Sequence, residues 1–229
     1  MERMRYEIDG KIARISLDDG KANAMSVPFF TELGALLDRA ATDGAGALLI
    51  AGRAGMFSGG LDLKLLPTLS SAGLRELSAT FARTMLRVFS LPIPTVAALT
   101  GHAIAGGAVL AYACDRRYGL DGRFRLQLNE VAIGIPMPSW MAAIAATAIP
   151  STAHVEALLH ARAYAPGEAL QRGILTGLVP EGGDVVQHAT LQSADLLALP
   201  RDAYATTKQR LRAAEVERVT ALLEGELAG

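Results

Sequence analysis

The chain has 229 residues, a length that holds one domain or two at roughly 150 residues each. Hydrophobic residues make up 51 % of it, and 22 Lys plus Arg against 23 Asp plus Glu leave a formal net charge of −1, with mean hydropathy +0.27 and a pI near 6.4. That balance excludes an intrinsically disordered chain and the basic footprint of a nucleic-acid or anionic-membrane binder, and the single cysteine, Cys114, excludes an internal disulfide framework or a cysteine-cluster metal site.

Residues Met1 to Asp9 carry Glu2, Arg3, Arg5 and Glu7 with no apolar stretch or small-residue cleavage site, so no secretory leader is expected and a cytoplasmic location is. Met4, Tyr6 and Ile8 alternate with polar residues, Asp9-Gly10 signals a type I′ turn, and Ala13, Ile15 and Leu17 alternate again. Residues 4–17 therefore read as a β-hairpin. Ser26 is placed to cap a helix with Pro28 in its first turn and Phe29, Phe30, Leu33, Leu36, Leu37 and Ala40 on one face. Ala47 to Ala51 is a short apolar run, as a strand buried on both sides requires. Leu74, Leu77, Phe81, Met85 and Val88 mark a second helical stripe ended by Pro92. Thr95–Leu99 reads as a buried strand, Gly106–Ala113 as a helix, Phe124–Leu128 as a short strand, and nearly everything from Ser139 onward as helix. Strands alternating with helices and followed by a helical tail predict an α/β fold around a core sheet.

Residues 88–114 and 131–153 contain no Asp, Glu, Lys or Arg, and each is long enough to cross a bilayer. Pro92, Pro94, Gly101, Gly106 and Gly107 break the first, and Pro136, Pro138 and Pro150 the second, which predicts buried elements joined by turns rather than membrane spans. Gly101–Gly107 lacks the Lys and Ser/Thr of a phosphate-binding loop, since Ala108 and Val109 follow it. The four histidines are scattered, so no metal site is expected, and His102 reads as a packing residue.

Three segments carry chemistry. Phe57-Ser58-Gly59-Gly60-Leu61-Asp62-Leu63-Lys64 pairs two glycines after a strand, as a surface turn does and as a loop offering free N–H groups to a ligand also does. Gly101-His102-Ala103-Ile104-Ala105-Gly106-Gly107-Ala108 opens a helix whose first N–H groups have no partner within it, a setting for developing negative charge or for close helix–strand packing. In Leu128-Asn129-Glu130-Val131-Ala132-Ile133-Gly134-Ile135-Pro136, Glu130 is the one acid of an apolar segment. It is either a solvated loop acid or a carboxylate with a raised pKa, prepared as a general base.

In this order and spacing, together with Lys21-Ala22-Asn23-Ala24-Met25-Ser26 and Cys114-Asp115, the segments resemble the enoyl-CoA hydratase/isomerase (crotonase) family, from the first hairpin to about Leu178. The resemblance implies a spiral of ββα units over residues 1–178, a helical C-terminal region over 179–229, and assembly as a homotrimer or a pair of trimers. It implies an acyl-CoA thioester as substrate, with no cofactor beyond the coenzyme A that the substrate carries. The backbone N–H groups of Leu61 and Gly106 would be the oxyanion donors, with Ser58, Gly59, Gly60, Asp62 and Lys64 along the thioester and pantetheine path. Ala22 and Ala24 would lie by the adenine, and Asn129 beside the acid. Ala105 stands where the motif has glycine or alanine, a difference expected to cost nothing.

Hydratases of this family use two glutamates, and Val109, followed by Leu110, occupies the first position here. Glu130 alone remains. The motifs Leu128-Asn129-Glu130, Gly134-Ile135 and Pro138-Ser139-Trp140 resemble the Δ3,Δ2-enoyl-CoA isomerase branch, which implies double-bond migration in fatty acid metabolism. The alternative within the family is a hydratase or related reaction on a specialised acyl-CoA, which needs a second acid such as Glu76. The alternative outside catalysis is an idle acyl-CoA-binding subunit, to which the short C-terminal region points.

Overall fold

The computed structural model describes residues 3–228. Met1 and Glu2, part of the leader reading, and the final Gly229 lie outside the described residues. Strands β1 (Met4–Asp9) and β2 (Ile12–Leu17) form the expected hairpin. Its turn centres on Gly10 and Lys11, and only Gly10 has positive φ, at +56°. This corrects the type I′ expectation, because that turn needs positive φ at both central residues. Ser26 caps α1 (Val27–Thr42), its hydroxyl accepting from Phe29 N at 3.5 Å, while Phe29, Phe30, Leu33, Leu37 and Ala40 turn inward.

The chain then repeats one unit three times. β3 (Ala47–Ala51), β4 (Gly55–Ser58) and α2 (Ser71–Ser90) form the first turn, and β5 (Thr95–Leu99), β6 (Gly101–Ile104) and α3 (Gly106–Ala113) the second. β7 (Arg116–Leu120), β8 (Leu126–Gln127) and α4 (Ser139–Ala148) form the third, followed by α5 (Pro166–Gln171), β9 (Gly177–Val179), α6 (Val185–Leu197) and α7 (Arg201–Ala228). This is the ββα spiral. The first strand of each unit joins a six-stranded sheet ordered β1-β2-β3-β5-β7-β9, and the second strands make a separate three-stranded sheet, β4-β6-β8. All pairings but β1 with β2 are parallel.

Every residue of β3 and β5 is buried because both faces of the large sheet are covered. Leu48, Ile50, Ala97 and Leu99 belong to the core shared with α1, α2 and α3, whereas Ala47, Leu49, Ala51, Val96 and Ala98 pack with Val185, Ala189 and Leu196 of α6. Two-sided burial is why these strands appear in the sequence as unbroken apolar runs. The expected division at 178/179 falls inside β9, and α6 beyond it supplies the cover of the second face.

α7 returns to the main core through Val219 and Leu223. Lys208 Nζ and Arg212 hold its first half to Asp115 at 2.8 and 2.9 Å. Burial pushes the Asp115 carboxyl up, and the two cations outweigh it, holding it below the usual carboxylate range.

Other expectations are corrected at element edges. Leu74 is 39 % exposed, so the inward stripe of α2 begins at Leu77. Phe124 lies outside β8 and meets His102 edge-on at 5.6 Å, while His102 Nδ1 accepts from Arg125 N at 3.1 Å. β9 interrupts the expected helical tail. Among the described residues no helix is long and apolar enough to cross a membrane; residues 88–114 end α2 and form β5, β6 and α3.

The start of α3 lies directly against β4: a Cβ on Gly107 would sit 2.1 Å from the Ser58 carbonyl oxygen. Gly107→Ala should therefore lose at least about 2 kcal/mol in urea unfolding, as overpacking against backbone does. Gly225→Ala, which has open space around it in α7, should lose nothing. A parental midpoint for Gly107→Ala would contradict this packing.

Candidate active site

The small sheet explains why three distant segments meet. β4, β6 and β8 run parallel, so their C-terminal ends deliver Gly59-Gly60-Leu61, Ala105-Gly106 and Leu128-Asn129-Glu130 to one edge, the place where parallel sheets hold ligands.

The first two segments touch through glycine. Gly60 has φ +83°, and a Cβ there would lie 2.9 Å from both Gly106 N and Ile104 O; one on Gly106 would lie 2.8 Å from Phe81 Cζ. Any side chain would force the two turns apart. Met25 forms a parallel bridge with Leu61, its N–H donating to Gly60 O at 2.8 Å and its carbonyl accepting from Asp62 N at 3.0 Å. In such a bridge the central residue uses neither of its own polar groups, so the Leu61 N–H faces away from Met25. The Gly106 N–H opens α3 and has no acceptor within the helix. Among the described residues neither N–H donates to a protein acceptor, and the positive end of α3 reinforces both.

The turns are held from behind by Asn23, which sequence reasoning missed. Its Nδ2 donates to Leu17 O and Phe57 O, both at 3.0 Å, tying β2 to β4. Asp19 in turn accepts from the N–H groups of Lys21, Asn23 and Ala24. Burial raises the Asp19 carboxyl, and these donors outweigh it, leaving its pKa lowered. Ala105 has φ 50° and ψ −122°, a conformation that L-residues adopt at a cost of about 1–3 kcal/mol. The expectation that alanine costs nothing here is thus corrected: the small sheet and α3 hold the residue in strain.

Glu130 is 6 % exposed and its Oε2 has no donor among the described residues. Its carbonyl accepts from Ile133 N and Ile135 N at 3.1 and 2.9 Å, fixing the backbone at this point. Burial pushes the carboxyl pKa up. The neighbouring Asn129 Oδ1 is likewise buried without a donor.

These groups line a cavity of about 180 Å³: Gly59, Leu61, Ala105, Gly106, Asn129 and Glu130 share its lining with Leu66, Phe81, Pro138, Trp140 and Met141. Phe81, Trp140 and Met141 are buried and make the floor, whereas Leu63, Ile133 and Ile135 are exposed at the rim. Phe81 stacks on Phe30 at 4.9 Å and meets Trp140 edge-on at 4.8 Å, so the floor continues into the core. Chemically, the cavity offers two N–H donors to an oxyanion, one carboxylate for proton transfer, and an apolar wall for a chain.

Of the residues expected at the site, Gly59, Leu61, Gly106, Asn129 and Glu130 meet in this cavity. Gly60 sits behind it against Gly106. Ser58 does not reach it: fully buried, its hydroxyl donates to Asn23 O at 2.8 Å and accepts from Gly60 N at 3.2 Å, shaping the turn instead. Asp62 accepts from Lys64 N at 3.0 Å, and the Lys64 side chain is exposed outside the cavity. Ala22 and Ala24 also lie outside it, Ala22 O accepting from Gly59 N at 2.8 Å. Val109 is fully buried in α3, and Glu76 is exposed on α2; neither lines the cavity. Ser78 and the aromatic floor were missed as lining residues, because Phe81 fits the core stripe of its helix equally well.

The chain is similar to known proteins over most of its length. The model of the Enoyl-CoA hydratase/isomerase family matches residues 7–228. The mitochondrial enoyl-CoA delta isomerase 1 of Homo sapiens is 32 % identical over 212 residues, 91 % of this chain and 70 % of that protein. A Thermus thermophilus protein that carries an enoyl-CoA hydratase name is 35 % identical over 178 residues, 76 % of this chain and 70 % of its own. The crystal structure of the human mitochondrial delta3-delta2-enoyl-CoA isomerase superposes with a TM-score of 0.94 at 29 % identity, covering 99 % of this chain and 90 % of the other. The chain belongs to the enoyl-CoA hydratase/isomerase family, with the crotonase fold.

Because burial raises Glu130 above its unfolded value, ionising it costs stability as pH rises through the folded value and costs nothing below the ordinary glutamate range. Glu130→Gln has no charge to bury. Its melting temperature should exceed the parent's at about pH 8, with the gap closing toward about pH 4. A gap that widened in acid would contradict the assigned environment.

Proposed function

We propose that the protein is an enoyl-CoA isomerase that moves a 3-double bond to the trans-2 position in fatty acid metabolism, with Glu130 carrying the proton. The thioester oxygen accepts hydrogen bonds from the Leu61 and Gly106 N–H groups. The ionised Glu130 removes a C2 proton, and the electron pair spreads through the C3–C4 double bond onto C4 and the thioester oxygen. Charge developing on that oxygen meets two preorganised donors and the positive end of α3, an arrangement that stabilises such an intermediate by several kcal/mol. Glu130 then returns the proton at C4, leaving a conjugated C2–C3 double bond and the carboxylate as it began. No oxidant, reductant or metal enters this balance, and the only coenzyme is the one the substrate carries.

The observation that carries this reading is that Glu130 is the single carboxylate among the described residues lining the cavity. Adding water requires one group to activate the water and another to manage the α-proton, and Val109 and Glu76 stand outside the cavity. The coenzyme A portion leaves past Gly59, along the turn that carries Asp62 and Lys64 toward Ala22 and Ala24. Assembly as a trimer or a pair of trimers belongs to the same reading.

Glu130→Gln keeps the shape of the side chain but cannot take a proton. Its turnover of 3-hexenoyl-CoA should fall by roughly 10²–10⁴-fold while acyl-CoA binding stays within a few-fold. In the parent, kcat/KM should rise with pH through a limb above the ordinary glutamate range, since only the ionised form is the base. A variant that kept the parental rate would contradict the assignment of Glu130.

A further inference from the structure

The first turn of α4 forms the acyl side of the cavity: Pro138, Trp140 and Met141 all line it. A helix start leaves its first N–H groups without partners inside the helix, and Pro138, at the N-cap position, supplies no side-chain cap. The cap comes from 87 residues away. Glu226 Oε1, near the end of α7, accepts from Ser139 N at 3.1 Å and from the Ser139 hydroxyl. Its negative charge also lies at the positive end of the α4 dipole. Between this contact and the Asp115 ion pairs, α7 is seated by Val219 and Leu223 in the main core. It thus runs as a strap from the buried charge cluster to the cavity wall.

We infer that Glu226 is a positioning residue that pins the acyl-binding wall of the cavity through Ser139, an inference that rests on the acyl-CoA reading above. Neither Glu130 nor the Leu61 and Gly106 donors lie on α4, so loosening its first turn weakens the hold on the acyl chain and leaves the proton transfer intact. Glu226 touches no reacting atom; it acts through the placement of Trp140 and Met141.

The chain holds a single tryptophan, Trp140, one residue from the pinned Ser139, so its fluorescence reports on this wall without any turnover. The test compares Glu226→Ala and Glu226→Gln with the parent, using a series of 3-enoyl-CoA substrates of increasing chain length. Glu226→Ala should raise KM about fivefold, the size expected for a lost helix cap, more for longer chains, with kcat unchanged. Its Trp140 emission should move to longer wavelength and become easier to quench with acrylamide. Glu226→Gln keeps an accepting oxygen and should recover most of both effects. Parental KM and emission in Glu226→Ala would overturn the inference. So would a fall in kcat at constant KM, which signals fewer folded molecules, or a glutamine variant no better than alanine. If the parent converts no 3-enoyl-CoA, the proposed reaction fails, while the fluorescence of the two variants still decides whether Glu226 holds the wall.

Discussion

Everything at this site depends on two glycine turns being allowed to touch. With Gly60 at φ +83° and no Cβ on it or on Gly106, the backbones close until a side chain on Gly60 would meet Gly106 N at 2.9 Å. This contact puts the free N–H of Leu61 beside the free N–H that opens α3. A pair of backbone donors needs no ionisable side chain and no reorganisation as charge appears on a ligand, which is what an oxyanion site requires. The rest of the fold serves this approach. The parallel small sheet brings the strand ends together, Asn23 ties β2 to β4 behind the first turn, and the Met25 bridge turns the Leu61 N–H outward.

Such a site opposes stability locally. Ala105 sits at φ 50° and ψ −122°, and Glu130 and Asn129 each keep a buried acceptor without a donor among the described residues. Strain and unpaired polar atoms of this kind persist only where surrounding packing over-determines them. Here that packing is the large sheet buried on both faces, together with α7 fastened to Asp115. Buried ion pairs of the Asp115 kind add little over an apolar core, yet breaking one by removing a partner costs several kcal/mol, so the cluster fixes where α7 lies more than it adds to stability.

The parts of this arrangement legible in the sequence are those governed by burial on a regular period. β3, β5 and α3 stand out as apolar runs because both sides of each are covered, and α1 is marked by the Ser26 cap and its stripe. Glu130 is conspicuous as a lone acid among apolar neighbours. β4 and β6, at four residues each with a glycine at the start, carry too little pattern to be told from loops, so the second sheet and its role in collecting the three segments were hidden. The role of Ser58 is not legible because a hydroxyl beside glycines is as apt to bond its own turn as a ligand, and the fold alone decides. Phe81 and Trp140 obey the same spacing whether they face core or cavity, and a cap supplied by Glu226 from 87 residues away leaves no local mark.

In the proposed reaction one buried carboxylate, sharing its cavity with two backbone donors, moves a proton along an acyl chain and does not add water. The most direct measurement gives the purified protein 3-hexenoyl-CoA and, separately, crotonyl-CoA, following the absorbance of the conjugated enoyl thioester. Conjugation should appear from the first substrate while the second keeps its absorbance. Loss of the crotonyl-CoA signal would contradict proton transfer by Glu130 alone, because hydration requires a second acid, and among the described residues lining the cavity there is none.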